Sequence, residues 1–433
     1  MVYRLKKQLK DKFQSKEAKN FIWLASDKLL KVILNICIMT LIAKVYGPSD
    51  FGMLSYCLAL TAIVVSVTSM GNDSFIIKEI LTETNNKNEI LGSAFFLRVL
   101  CCCIFSIILY FNVLYFSHDN ETKRLFNILI FLVISAPFDL IDVEYQSNLS
   151  SRNAVIPRNI AAILVFCIRL ILLSAKCSLT FFAFSYIIES LVTVIFIIIV
   201  YQKRTNKFFN WSINDVWTRL IFKKSFPLLL SSLSVVLYMR LDQIMLGSLS
   251  SSKEVGLFSI VNRIGESLYF LPIAFANSSL PSLAQIRGNK ALLNEKVIGY
   301  LKKMLALSIG LAIFTAVTGH LAIIYVLGKA YEEALRILYI YSWCIIPVSV
   351  GLVSNQYIIL NNSEKIIFYR TLLGLALNVS LNYFLIPKYG ATGAAIATFS
   401  SYVFIVYITN IFFKTSRQLL TLQMKSIFFL LRN

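Results

Sequence analysis

The feature that most constrains this chain is a succession of a dozen apolar blocks, each about 20 residues long, the length an α-helix needs to cross ~30 Å of hydrocarbon. They run over 21–44, 51–71, 91–116, 125–145, 155–175, 178–201, 225–248, 254–281, 303–327, 335–360, 366–387 and 390–413. Hydrophobic residues make up 57% of the 433, and charged residues only 15%, an apolar excess that no ordinary soluble core absorbs. A soluble enzyme, a disulfide-rich secreted module and a disordered tail protein are excluded. The reading is an all-α polytopic membrane protein with about 12 transmembrane helices.

The loops orient it. With the N-terminus in the cytoplasm, and cations near a span end counted with the adjoining loop, that side carries 28 of the 42 Lys and Arg, the opposite side 8, and six lie deeper within spans. This is a strong positive-inside bias, so both termini are expected in the cytoplasm. The net charge of +20 then meets anionic membrane lipids and not nucleic acid. The first 19 residues are too charged for a cleavable leader. Val2, Leu5, Leu9 and Phe13 recur at helical spacing among lysines, so residues 1–20 form a basic amphipathic segment suited to the headgroup layer. The basic tail 414–433, with Leu419, Leu422, Ile427 and Leu430, is expected to do the same or to act as a simple anchor. Seven of the eight cysteines fall within spans. None has metal-ligand spacing with His118 or His320, so no metal is expected.

An internal repeat divides the chain. Asp50-Phe51-Gly52-Met53-Leu54-Ser55 returns as Glu254-Val255-Gly256-Leu257-Phe258-Ser259, 204 residues later, and the same shift carries span 1 onto span 7. Two six-span halves that both start from the cytoplasm imply a pseudo-two-fold repeat about the membrane normal. The lobes are then 21–201 and 225–413, joined by a basic linker at 202–224.

Charges at membrane depth cost about 2.5–3.5 kcal/mol on insertion scales, so each needs a partner, a wet cavity or a function. At 1.5 Å per residue, Lys28 and Arg98 lie about 10 Å from the cytoplasmic face, Arg169 lies near the outer face, and all three are expected to snorkel. Lys31 is deeper, at about 15 Å by the same rise. Arg240 and Arg263 sit near the middle to outer half of spans 7 and 8. Ser259, Asn262, Arg263, Glu266 and Tyr269 share one helical stripe, which should face protein or water. Asp242 lies about 200° around the helix from Arg240, by the 100° per residue of an α-helix, so those two are not expected to pair. Two readings stay open: Arg240 and Arg263 line a central cavity, or they form structural ion pairs with Asp242, Glu266 or Glu189. The acids Asp139, Asp142, Glu144, Glu189, Asp242 and Glu266 either carry a coupling proton or sodium ion or neutralise arginines. No phosphate-binding loop and no nucleophile–base constellation stands out, so the chain is expected not to be an enzyme.

Ser225-Phe226-Pro227-Leu228-Leu229-Leu230 runs into Tyr238-Met239-Arg240-Leu241-Asp242-Gln243, and Glu254 through Ser259, Arg263-Ile264-Gly265-Glu266 and Pro272 follow. Tyr46-Gly47-Pro48 through Gly52, Gly71-Asn72-Asp73-Ser74, Tyr331 through Leu338, and Asn378 through Pro387 extend the pattern. Together they resemble Wzx-type O-antigen or polysaccharide repeat-unit flippases of the multidrug/oligosaccharidyl-lipid/polysaccharide (MOP) exporter superfamily. The resemblance implies a MATE-like fold of two six-helix lobes and alternating access. Its implied substrate is an undecaprenyl-pyrophosphate-linked oligosaccharide, moved from the cytoplasmic to the periplasmic leaflet of the inner membrane. It gives the substrate role to Arg240 and Arg263, and secondarily to Lys31 and Arg98. Asp242, Glu266, Glu189 and Asp139 are left to ion coupling or charge pairing. No cofactor is implied beyond a H⁺ or Na⁺ gradient, and the polysaccharide polymerase and chain-length machinery are the expected protein partners. Pro137, Pro227, Pro272 and Pro347 either relax helices for rocking or fix kinks. The competing readings are a cation-coupled drug exporter of the same superfamily, which would want an anionic cavity, and a membrane glycan polymerase or ligase, which would want a large external loop.

Overall fold

A computed structural model describes residues 16–116, 119–205 and 210–431. Most of the expected amphipathic segment 1–20, and His118, lie outside the described residues. Every regular element among those residues is helical, as the all-α reading requires. In chain order they are α1 (Lys16–Ser69), α2 (Asp73–Thr82), α3 (Lys87–Phe116), α4 (Asn120–Leu129), α5 (Asp139–Ser147), α6 (Arg152–Ser174), α7 (Leu179–Thr205), α8 (Asp215–Leu249), α9 (Ser252–Glu266), α10 (Phe270–Gln285), α11 (Lys290–Leu321), α12 (Ala334–Tyr341), α13 (Ile345–Leu360), α14 (Lys365–Val406) and α15 (Lys414–Leu431). Among the described residues, nine segments are long and apolar enough to cross a membrane.

The differences from the expected spans have local causes. Spans 1 and 2 form one long element, bent at Gly47 (φ 79°, ψ 177°), and spans 11 and 12 another, bent at Gly390 (φ 55°, ψ −134°). Both bends need positive φ, which glycine supplies without a Cβ clash. Expected span 4 starts as α4, tightens into a 3₁₀ stretch over Ile130–Phe138 that contains Pro137, and resumes as α5. Nine residues of 3₁₀ geometry are unusual, because the tighter turn eclipses side chains at i and i+3. Expected span 8 breaks between α9 and α10 at 267–269, and Pro272 falls in the first turn of α10, where its missing N–H costs nothing.

The described residues pack as two units: those up to 45 with those from 57 to 236, and 46–56 with those from 237 onward. In the first, Ile76, Ile80, Ile90, Leu91 and Leu97 close with Leu140, Val143 and Ile221 into one apolar core. In the second, Leu293, Val297 and Leu301 of α11 pack with Val353 and Tyr357 of α13 and with Leu419 and Leu422 of α15. The tail helix is amphipathic as expected, but its apolar face is spent on protein: Gln423 and Ser426 are buried beside those leucines, and Gln423 donates to Ser354 Oγ at 2.9 Å. Outward faces are greasy instead. Ile104, Ile107 and Ile108 of α3, and Ile313, Phe314 and Val317 of α11, are all about half exposed, which suits lipid where it would be a liability in water.

The repeated motif has a structural counterpart inside the second unit. A Cβ placed on Gly52 would lie 1.7 Å from the Ser252 carbonyl oxygen, and one on Gly256 would lie 1.9 Å from the Pro48 carbonyl oxygen. Adding 204 to 48 and 52 gives 252 and 256, so the two contacts are reciprocal. The motif copies cross each other about a local two-fold, and only glycine lets the backbones approach this closely.

Candidate functional sites

Each unit holds its own cluster of polar residues at membrane depth. In the first, a cavity of about 150 Å³ is lined by Lys31, Ser135, Asp139, Arg158, Glu189 and Thr193 among others, and has room for several waters. The 3₁₀ stretch brings Ser135 and Phe138 to its wall and hands over to Asp139 at the start of α5. Three residues singled out from sequence, Lys31, Asp139 and Glu189, therefore converge here.

Arg158, missed by the sequence reading, organises the cluster. Its guanidinium donates to Asp27 Oδ2 at 2.8 Å and to Asp142 Oδ2. Lys31 lies 3.4 Å from Asp27, one helical turn away. Asp139 forms no ion pair among the described residues, although Arg98, Arg158 and Lys31 all act on it electrostatically. Glu189 accepts an ion pair from Arg169 at 2.7 Å, and the Arg169 guanidinium stacks on Tyr186 with its carbon 4.1 Å from the ring centre. Arg169 is thus buried and paired, not snorkelling as expected, because acid and ring sit within reach on the neighbouring helix.

Arg98 differs from expectation in the same way. It is fully buried and donates to Asn72 Oδ1 at 2.9 Å and Asp73 Oδ1 at 2.6 Å, while Asn72 donates to Ser225 Oγ at 2.7 Å. Met70 and Gly71 both take positive φ there (53° and 59°), so Arg98 pins a tight bend between α1 and α2. It does not line the cavity. A further ion cluster, at the span ends, joins Lys87 to the buried Glu144 at 2.6 Å, and Tyr201 donates to the same carboxylate.

In the second unit, Asp242 of α8 is 4% exposed and meets no cation among the described residues. Its carboxylate accepts from Asn382 Nδ2 at 2.6 Å, Asn378 Nδ2 at 3.2 Å and Thr398 Oγ1 at 2.6 Å. The single Thr398 hydroxyl proton is shared between Asp242 and the Ala394 carbonyl, 2.9 Å from Oγ1, and Asn382 Oδ1 is buried without a hydrogen-bond partner. A buried anion held only by neutral donors is costly, and one positive charge arriving there would relieve that cost. The oxygens available are hard donors: the Asp242 carboxylate, Thr398 Oγ1, the Ala394 carbonyl, and the amide oxygens of Asn378 and Asn382 once those side chains rotate. The asparagines fall in the segment Asn378 through Pro387 that extends the resemblance, but neither they nor Thr398 were given a site role from sequence. Asn378 and Asn382, four apart on one helix in an apolar run, were the available signal.

Arg240 and Asp242 form no ion pair, as the helix geometry predicts. Arg240 is half-buried, with no ion pair among the described residues. Glu266 lies within electrostatic reach of Arg240 and Arg263 and hydrogen-bonds Asn262, which also accepts from the Tyr341 hydroxyl. Ser259 and Asn262 are buried, so the polar stripe of α9 faces protein as expected. Arg240, Asp242, Arg263 and Glu266 are brought together.

Residues 18–287, more than half of the chain, match the family model described as "Polysaccharide biosynthesis protein", and residues 227–384 match that of MatE. The capsular polysaccharide biosynthesis protein CapF of Staphylococcus aureus is 25% identical over 407 residues, spanning 90% of this chain and 97% of that protein. Among solved structures, the lipid II flippase MurJ in its inward closed conformation aligns with a TM-score of 0.70 at 18% identity, over 95% of this chain and 92% of MurJ. An inward-facing multidrug resistance MATE family transporter of the MOP superfamily aligns with a TM-score of 0.67 at 13% identity, over 94% and 99%. At those identities the likeness establishes the MATE-like fold.

Proposed function

The chain belongs to the polysaccharide biosynthesis protein family, and from that premise we propose that it flips undecaprenyl-pyrophosphate-linked O-antigen or related polysaccharide repeat units from the cytoplasmic to the periplasmic leaflet of the inner membrane. The observation that carries the reading is Arg240, a half-buried guanidinium on a membrane-spanning helix, without an ion pair among the described residues. Glu266 offsets part of its cost electrostatically, and with no carboxylate among the described residues in ion-pair contact the guanidinium is left available to an anion that comes and goes. A pyrophosphate is such an anion, and a planar guanidinium donates paired hydrogen bonds to it. Arg263 shares its electrostatic surroundings through Glu266. Lys31, exposed beside the first unit's cavity, is a further contact for the headgroup. Arg98, locked at the α1–α2 bend, keeps the fold.

Moving sugars and a diphosphate through hydrocarbon would strip their hydrogen bonds, which protein side chains and cavity waters replace. The Asp242 cluster suits the coupling ion: H⁺ or Na⁺ binding there neutralises a buried carboxylate, and its departure restores the cost. A drug exporter for cationic compounds is disfavoured by the arginines of α8 and α9. A polymerase or ligase is disfavoured by the short connections between described helices on the outer side. The protein is then a transporter and not an enzyme.

The test is loss of the protein in its host. Lipid-linked repeat units should accumulate in the inner leaflet while surface glycan disappears. Normal surface glycan would overturn the reading.

A further inference from the structure

The seam between α6 and α7 that contributes to the first unit's cavity opens, about two turns further along, into a second cavity of about 270 Å³. Arg152, Lys203 and Arg204 line it together with Asn153, Ile156 and Pro157. The basic bias of the loops puts this end at the cytoplasmic leaflet. We propose that this cavity is a binding site for the phosphate headgroup of an anionic phospholipid of that leaflet, independent of the transported substrate.

Four observations support it. First, among the described residues the three cations form no ion pair and no carboxylate lines the cavity. Lys203 and Arg204 sit in the last turn of α7, where the helix dipole favours them. Arg152 is the first residue of α6, where the dipole opposes a cation, so its placement calls for an anion. Second, Arg152 is held over the Trp23 ring, 5.4 Å from its centre, the kind of interfacial aromatic that marks headgroup depth. Third, the cavity continues into lipid-facing stripes: Ile160, Ile163 and Leu164 on α6, and Ile195 and Ile199 on α7, are each about half exposed, giving acyl chains a surface to follow. Fourth, Asn153 is the one neutral polar side chain among the described residues of the lining, so little there recognises sugar hydroxyls. That favours a phospholipid over a saccharide-bearing diphosphate. Basic pockets between transmembrane helices on this side are a general solution for anionic headgroups.

The experiment uses the full-length protein, purified in zwitterionic detergent, with native mass spectrometry reading the binding of phosphatidylglycerol, phosphatidylcholine and polyprenyl diphosphate. Wild type should bind phosphatidylglycerol at least tenfold more tightly than the variant Arg152→Gln/Lys203→Gln/Arg204→Gln. A control with equal charge loss elsewhere, Arg219→Gln/Lys223→Gln/Lys224→Gln, should stay within twofold of wild type. Arg152→Lys should keep most of the binding, which preserves the test if the triple variant melts early in lipid-free detergent. Equal loss in the control, equal binding of phosphatidylcholine, or preferential occupancy by polyprenyl diphosphate would each overturn the proposal.

Discussion

Replacing Arg158 with glutamine isolates the electrostatics of the first unit's cavity. The guanidinium serves Asp27 at 2.8 Å and Asp142, but Asp27 keeps Lys31 at 3.4 Å, whereas Asp142 has no other ion pair among the described residues. The substitution strands one buried carboxylate. Removing one partner of a buried pair costs about 3–5 kcal/mol. The alternative open to the stranded group, taking up a proton at pH 7 from an ordinary aspartate value near 4, costs about 4 kcal/mol at ~1.4 kcal/mol per pH unit, so the two figures agree. Unfolding in mixed micelles, followed by tryptophan fluorescence, should show a loss of that size, and Asp142→Asn in the same chain should return at least half of it. The sign with pH follows from proton uptake. The unfolded aspartate is charged at both pH 7 and pH 5, while the variant's folded state gains a proton, so its penalty shrinks by up to about 1.4 kcal/mol per unit as pH falls. A penalty equal at both pH values and indifferent to Asp142→Asn would refute the charge argument and leave lost packing as the cause.

Other consequences are equally direct. Gly52→Val should abolish export and folded yield, because its Cβ would sit 1.7 Å from the Ser252 oxygen, whereas Gly310→Ala, with nothing within 4 Å, should change stability by no more than about 1 kcal/mol. Asp242→Asn should leave the protein inserted and remove the dependence of transport on a H⁺ or Na⁺ gradient, read in vesicles with the gradient imposed or collapsed. Leu419→Ala should destabilise by about 2–5 kcal/mol, the range for a truncated core leucine, in the same micelle titration. A freely lying surface helix would lose far less.

Much of the fold was legible because membrane helices advertise themselves by length and because two backbones that cross need small residues: the Gly52 and Gly256 motifs were visible as a repeat before their contact was known. The stripe through Ser259, Asn262 and Glu266 was legible for the same reason, since polar groups at helical spacing must face protein. Arg158 and Arg370 escaped because they stand near span ends and count as flanking cations. In the structure Arg158 bridges two aspartates, and Arg370, 2% exposed, donates to the Ile405 carbonyl at 3.0 and 2.6 Å near the end of α14. The pairing of Arg169 with Glu189 was hidden because it joins different helices, and depth alone suggests snorkelling. Neutral residues such as Asn378, Asn382 and Thr398 carry so small an insertion cost that their gathering around Asp242 emerges only in three dimensions.

The most direct measurement reconstitutes the purified protein in liposomes that carry a labelled polyprenyl-diphosphate oligosaccharide in one leaflet, and follows its arrival in the other with a membrane-impermeant probe. The account predicts translocation well above protein-free liposomes, a loss of at least tenfold for Arg240→Ala with insertion intact, and partial recovery for Arg240→Lys. Translocation no faster than in protein-free liposomes, or an alanine variant working at the wild-type rate, would contradict it.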